Sequence, residues 1–188
     1  MSDISFFHIG SNKPKATEFV VENIRSFHPT SPYFLASDAG EYFMELSVKN
    51  NCNYHHYTNK VGGPVQPYGY DVGKILTFLD RFKSAAELSY YINNIEHMMM
   101  AEDDVILIRP ITVEPEWQMA CHNITVGNTI PDQVLDMIGD FCGKRPGEIH
   151  YGGGGGSIYN AKTFVENYDK VVPFFEKHSE HIMHNIYP

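Results

Sequence analysis

The stretch HMMMAEDDVILIRPI, residues 97 to 111, sets three consecutive acids, Glu102, Asp103 and Asp104, between two apolar runs. Met98-Met99-Met100-Ala101 reads as a central strand whose carboxyl end delivers the acids, although strands are depleted in Asp. Two carboxylates about 4 Å apart repel by roughly 4 kcal/mol at an effective dielectric near 20. Such a cluster persists if it is well solvated, if protons are shared, or if a cation sits in it. Strand-like alternation turns Glu102 and Asp104 one way and Asp103 the other. One acid then holds a metal while its neighbour takes a ligand hydroxyl. Mg²⁺ and Mn²⁺ suit this pattern, because they take few carboxylates and complete their shells with phosphate oxygens and water. A solvated acidic turn is the plain alternative. The apolar flanks, MMMA before and VILIRPI after, favour the metal.

Outward from that strand, the chain alternates short apolar runs with amphipathic segments. Residues 4 to 9, ISFFHI, read as a buried strand running into the polar turn Gly10-Ser11-Asn12. Pro14 suits the first turn of a helix. Val20, Asn23, Ile24 and Phe27 follow at helical spacing until His28-Pro29 ends the element. Tyr33 to Ser37 is a second strand ending at Asp38-Ala39-Gly40, followed by a helix over about 41 to 49 and a strand, NYHHY. Residues 59 to 70 form a Gly/Pro/Tyr-rich loop. Val72, Ile75, Leu76, Leu79, Phe82 and Ala86 then mark an amphipathic helix, with another helical piece over about 85 to 95. In open α/β sheets ligands bind outside the carboxyl ends of strands. Three polar turns fall there: Gly10-Ser11-Asn12, Asp38-Ala39-Gly40 and Glu102-Asp103-Asp104.

The second half predicts a strand over Trp117 to Val126, a short helix over 131 to 141 and a glycine-interrupted strand pair over 148 to 159. Helical pieces follow over about 161 to 168 and 170 to 186. No repeat or linker divides the chain, so one domain over residues 1 to 188 is expected. The expected fold is α/β, a three-layer α/β/α sandwich around a central mixed, mostly parallel sheet.

The 188 residues are 43% hydrophobic and 13% aromatic, which fits a globular domain rather than a disordered chain. A net charge of -9 argues against nucleic acid as the main partner. A small anionic ligand stays compatible, since a bound cation reverses the local sign. The N-terminus lacks the pattern of a signal peptide, and no run reaches the length of a membrane span. Cys52, Cys121 and Cys142 are odd in number and not spaced as a zinc pair. Reduced thiols in a cytoplasmic setting are expected, and the sequon at Asn123 is read as chance.

Several smaller features carry two readings each. The glycine run 152 to 156 is either a loose surface loop or a wall that lets a bulky ligand approach the backbone. It is not a phosphate-binding P-loop, because no Gly-Lys-Ser/Thr follows. His178, His181 and His184 read as a polar helix face, with His181 or His184 as a further metal ligand in the sharper reading. His55 and His56 belong to a half-buried strand. Lys74 and Arg81 are equally surface charges or partners for an anionic ligand.

MMMAEDDVILIRPI resembles the strand-plus-DxD segment of nucleotide-sugar-dependent glycosyltransferases of the GT-A fold, in the variant that reads EDD. HIGSN resembles the first-strand loop that holds the nucleotide, and ASDAG the turn after the second strand. YDVGKILTFLDRF resembles the helix before the DxD strand, and GGGGGSIYN the glycine-rich acceptor-side segment. The resemblance runs in order along most of the chain. It implies that Asp104 ligates Mn²⁺ or Mg²⁺ and bridges to the donor diphosphate, with Glu102 and Asp103 on ribose or metal-bound water. It also implies that Ile9, Gly10, Ser11 and Asp38 hold base and ribose, with Gly154 and Gly155 on the acceptor side; Lys74 or Arg81 would then be the partner of the diphosphate charge. His181 becomes the additional metal ligand. Asp169, Glu176 or Glu180 becomes the acceptor base, unless the base lies in a C-terminal extension beyond this chain.

The expected activity is transfer of a sugar from a nucleoside diphosphate sugar, UDP-linked, to a glycan or other hydroxyl acceptor. The alternatives are a sugar-phosphate nucleotidyltransferase and a non-catalytic module that binds nucleotide sugars or glycans. HIGSNKPK is a poor version of the Gly-rich basic loop that a nucleotidyltransferase requires.

Overall fold

The computed structural model describes residues 4–61, 72–117, 119–120, 136–137, 139–141, 143 and 155–186, with side chains of the last helix as far as His178. Among these residues six strands form one sheet: β1 (Ile4–Gly10), β2 (Tyr33–Asp38), β3 (Asn53–Tyr57), β4 (His97–Ala101), β5 (Met119–Ala120) and β6 (Ile158–Asn160). Their order across the sheet is β3-β2-β1-β4-β6-β5. The first four are mutually parallel, whereas β6 runs antiparallel to both β4 and β5. The sheet is mixed and mostly parallel, as the sequence implies. His8 lies opposite both Leu35 and Ala101. That register lets the turns after β1, β2 and β4 leave the sheet at one end.

The pleat divides the core in two. On one face Ile4, Phe6, Tyr33, Leu35, Met99 and Ala101 pack against Val20, Val21 and Ile24. Those three belong to α1 (Pro14–Phe27), whose buried stripe is Thr17, Val20, Val21 and Ile24. This is the i, i+3, i+4, i+7 spacing of an amphipathic helix. Phe43, just ahead of α2 (Met44–Lys49), closes the same core. On the other face Phe7, Phe34, Ala36 and Met98 meet Phe82, Ala85 and Ala86 of α3 (Val72–Glu87). Ala161, Phe164 and Val165 of α4 (Ala161–Ile186) join them. Helices on both faces make the three-layer sandwich.

Four elements differ from the sequence reading. The second helix begins at Met44 rather than near 41, because Phe43 is drawn into the core and its N–H donates to the Tyr54 hydroxyl at 3.0 Å. The helical piece expected near 85 to 95 is a π-helical turn, Leu88–Ile92, continuing α3. It carries buried Ser89, whose Oγ lies 2.7 Å from Ser5 Oγ and 2.9 Å from the Ile95 carbonyl. The last two helical pieces are one helix that runs through Pro173. Ring packing holds on both sides of the missing N–H, Phe164 against Phe82 at 4.7 Å and Phe174 against Phe141 at 4.4 Å. The strand Trp117 to Val126 is seen only at Met119–Ala120, and the pair over 148 to 159 only from Ile158. The rest of those two segments lies outside the described residues, as do parts of the 131 to 141 helix and most of the 59 to 70 loop.

Two of the polar turns touch. Glu41 N–H donates to the Ser11 carbonyl at 2.8 Å, and Ser11 Oγ donates to the Asp38 carbonyl at 3.2 Å. A Cβ on Gly40 would stand 2.1 Å from Ser11 O and 2.5 Å from Ser11 C, both rigid backbone. Gly40→Ala is therefore expected to lower stability by about 1–3 kcal/mol, the range for forced overpacking. The urea unfolding midpoint reads it, and an unchanged midpoint would mean that the two turns do not abut.

Candidate active site

The acids do not continue the strand. β4 ends at Ala101, and Val105 N–H donates to the Glu102 carbonyl at 3.1 Å, so residues 102 to 105 form a β-turn. Asp favours turns because its carboxylate competes for nearby backbone groups. This chain therefore keeps its acids out of the ladder but at its carboxyl end.

The middle acid turns inward. Asp103 Oδ1 lies 2.7 Å from Thr17 Oγ1 on α1 and 3.2 Å from His8 Nε2 on β1. His8 is fully buried, and its Nδ1 lies 2.8 Å from the Tyr33 hydroxyl. Burial pushes the Tyr33 phenol well above its ordinary value, so it keeps its proton. It then donates to Nδ1, leaving Nε2–H to donate to Asp103, so both ring nitrogens are satisfied. Thr17 Oγ1 also lies 3.1 Å from the Lys13 carbonyl. It has one proton to give, and the shorter, charge-assisted contact to Asp103 is the stronger of the two. Burial pushes the Asp103 carboxyl up, yet the bonds from His8 and Thr17 outweigh it, and the net pKa falls below the usual value.

The flanking acids share a cleft of about 540 Å³ with Val105, Ile106, Gly155 and Gly156. Asp104 is exposed and Glu102 half-buried. Burial raises the Glu102 pKa, and the charges of Asp104 and Asp103 raise it further. The end of the glycine run passes directly over this turn. A Cβ on Gly155 would come within 2.6 Å of Val105 Cγ2 and 3.1 Å of Glu102 Cβ. Reciprocal backbone bonds of 2.8 Å, Met100 N–H to Ser157 O and Gly156 N–H to Met100 O, hold it there. Two neighbouring carboxylates in one cleft suit a hard divalent cation, which takes few protein oxygens. No cluster of three or more His, Cys, Asp or Glu able to hold a metal occurs among the described residues. A cation here would depend on phosphate oxygens and water for the rest of its shell.

Asp38 is engaged differently from a loose ligand. Its side chain is 2% exposed, and Oδ1 accepts from Arg81 Nη1 at 2.6 Å and from Val61 N–H at 2.7 Å. Arg81 also donates to the Asn59 carbonyl and lies 3.9 Å over the Tyr57 ring. Arg81 is thus buried, in contrast to the surface charge that one reading of the sequence allowed. Lys74 stays exposed in the first turn of α3. Ile9 packs with the core on the α3 side, while Gly10 abuts α1, where a Cβ would meet Thr17 Oγ1 at 2.8 Å.

The structure therefore brings Gly10, Ser11 and Asp38 together, and Glu102, Asp104 and Gly155 together, with Asp103 bound to the elements between. It does not bring Asp169 or Glu176 to the cleft. Both are exposed on α4, in the layer with α3, whereas the cleft floor of Met99 and Ile158 belongs to the core on the α1 side. Glu180, His181 and His184 are helical residues of α4 whose side chains lie outside the described residues, and Gly154 lies outside them altogether. His178 stacks on Phe174 at 5.0 Å, and His55 and His56 sit on the partly exposed edge strand β3. Sequence reasoning missed His8 and Thr17. Their signals were present: a histidine on the core face of an apolar strand, and a threonine heading the apolar stripe of α1.

The strand order, with an acidic turn after the fourth strand and an antiparallel pair completing the sheet, is a GT-A-like glycosyltransferase fold. The solved structure of the galactosyltransferase LgtC with donor and acceptor sugar analogues superimposes with a TM-score of 0.50 at 12% identity, covering 93% of this chain. An active-site variant of LgtC gives a TM-score of 0.52 at 13% identity, again over 93% of this chain. This chain spans 65% and 64% of those two structures. Such low identity shows the fold alone. No protein-family model matches the sequence, and no curated protein sequence matches it. Among the described residues no helix is long and apolar enough to cross a membrane.

The three acids are expected to respond differently to substitution. Asp103→Ala leaves the buried His8 donor without its acceptor, while the Thr17 hydroxyl falls back on the Lys13 carbonyl, and should cost about 1–3 kcal/mol in urea unfolding. Glu102→Gln should instead raise the melting temperature at pH 7, by about 1–3 °C for a sub-kcal/mol gain in a chain of this size. Because the folded pKa of Glu102 is raised, its charge penalty is complete above that pKa. The penalty disappears as pH falls to the unfolded value, so the two proteins should converge there. A gain that persists below pH 4 would show that the buried, repelled charge of Glu102 is not its cause.

Proposed function

We propose that this protein is a glycosyltransferase that moves a sugar from a nucleoside diphosphate sugar, UDP-linked, to a hydroxyl acceptor with the help of Mn²⁺ or Mg²⁺. The observation that carries the reading is the pairing of Glu102 and Asp104 in one cleft at the carboxyl end of β4, in a sheet with glycosyltransferase strand order. Asp104, the exposed member, would ligate the cation, with Glu102 behind it. A divalent cation there supplies Lewis-acid stabilisation of the departing diphosphate.

The chain's own residues do the rest. The joined turns at Gly10, Ser11 and Asp38 offer a rigid shelf beside the acids for the base and ribose. Asp38 supports that shelf through Arg81 and Val61, and its carbonyl positions the Ser11 hydroxyl. Gly155, without a side chain, keeps the acceptor side of the cleft open to a bulky sugar. The proposal includes a cytoplasmic location, in keeping with the unpaired thiol of Cys52.

A panel of nucleotide sugars with Mn²⁺ tests the activity. Release of nucleoside diphosphate supports it; pyrophosphate would indicate a nucleotidyltransferase, and neither product a binding module. The metal is tested separately by Asp104→Asn, which keeps the side-chain size and removes the charge. Mn²⁺ with UDP should raise the melting temperature of the wild type and not of the variant, since only a protein that binds the ligand is stabilised by it. Equal shifts in both proteins would remove Asp104 from the metal site.

A further inference from the structure

His8 and Thr17 lie on different elements, β1 and α1, and converge on a single oxygen of Asp103. A buried histidine in the centre of a sheet and a hydroxyl at a core position of a helix both weaken packing unless they are used. Neither touches the cleft, whose lining includes Glu102 and Asp104 but neither of these side chains. Both are braced from behind. His8 leans on the Tyr33 hydroxyl, and Thr17 is backed by Gly10, where a Cβ would press on its Oγ1 and Cγ2 at 2.8 and 3.1 Å. Asp103 sits between Glu102 and Asp104 in a four-residue turn closed by one backbone hydrogen bond. A turn so short has little else to fix which way its acids point.

We infer that His8 and Thr17 are positioning residues: by holding Asp103 inward they orient the turn so that Glu102 and Asp104 face the cleft together. The inference rests on the proposed cation and donor site. It assigns Asp103 to the support of that site rather than to direct contact with the cation. Free of these two donors, the turn could rotate Asp103 outward, and the three carboxylates would then repel as an unsorted cluster. Fixing the middle acid sets the spacing of the other two before any cation arrives.

Calorimetric titration of the full chain with UDP, with and without Mn²⁺, tests this in Thr17→Val and Thr17→Ser. Thr17→Val removes the hydroxyl while nearly keeping the shape. It should weaken the Mn²⁺-dependent binding of UDP by about 10- to 100-fold, the usual loss when a group that orients metal ligands is removed. Binding of UDP without Mn²⁺ should change little, and Thr17→Ser should restore the metal-dependent part. Equal weakening with and without Mn²⁺, or a Thr17→Ser variant as weak as Thr17→Val, would overturn the positioning role, as would wild-type affinity in Thr17→Val. If Thr17→Val does not fold, Asp103→Asn serves in its place, since its carbonyl oxygen still accepts from Thr17. It should keep most of the Mn²⁺-dependent binding, and complete loss would make Asp103 a ligand and refute the inference. Absence of any Mn²⁺-dependent UDP binding by the wild type would instead remove the donor-site reading, and the inference with it.

Discussion

The hydrogen bonds from Thr17 and His8 to Asp103 hold the site in register with the fold. They connect the acidic turn to α1 and β1, elements 86 and 95 residues earlier in the chain. Through Gly10 and Ser11 the same connection reaches the turn after β2. Three loops that share only a position at the end of the sheet thereby become one surface. Backbone pairing alone would not do this, since the ladder between β1 and β4 ends at His8 and Ala101.

Two acids in this region are satisfied by buried protein partners and two face an open cleft. Asp38 faces buried Arg81, and Asp103 takes two hydrogen bonds from buried or nearly buried groups. Glu102 and Asp104 repel each other in an open cleft, and burial, with the charges of Asp104 and Asp103, holds the Glu102 carboxyl above its usual range. A pair left in the open beside well-satisfied neighbours is what the proposed cation would offset. That asymmetry, more than the presence of three acids in a row, supports a cation site.

Much of this was legible in the sequence. ISFFHI, NYHHY and the methionine run each gave a strand within a residue or two of the observed one, because apolar and aromatic runs bounded by polar turns have few other uses. Pro14 marked the start of α1, and the turn-bearing ends of β1, β2 and β4 were visible as candidate site loops. Partnerships were not legible. That Arg81 would seek Asp38, 43 residues away, or that Asp103 would turn inward rather than outward, depends on which strands become neighbours. Local pattern carries no such information. The alternation argument paired Glu102 with Asp104 as the structure does, although a turn rather than an extended strand produces the pairing. The break expected near residue 169 failed for a different reason: packing on both sides of Pro173 outweighs the loss of a single helical bond.

The central claim is a division of labour among three adjacent carboxylates, with Asp103 supporting the turn and Glu102 and Asp104 serving the cation. It is tested most directly by a crystal structure of the protein with Mn²⁺ and UDP, with the metal located by its anomalous scattering. The account predicts an anomalous peak in direct coordination with Asp104, next to Glu102 and the diphosphate, while Asp103 remains bonded to Thr17 and His8. A metal ligated by an Asp103 that has swung away from both, or a diphosphate bound elsewhere on the molecule, would contradict it.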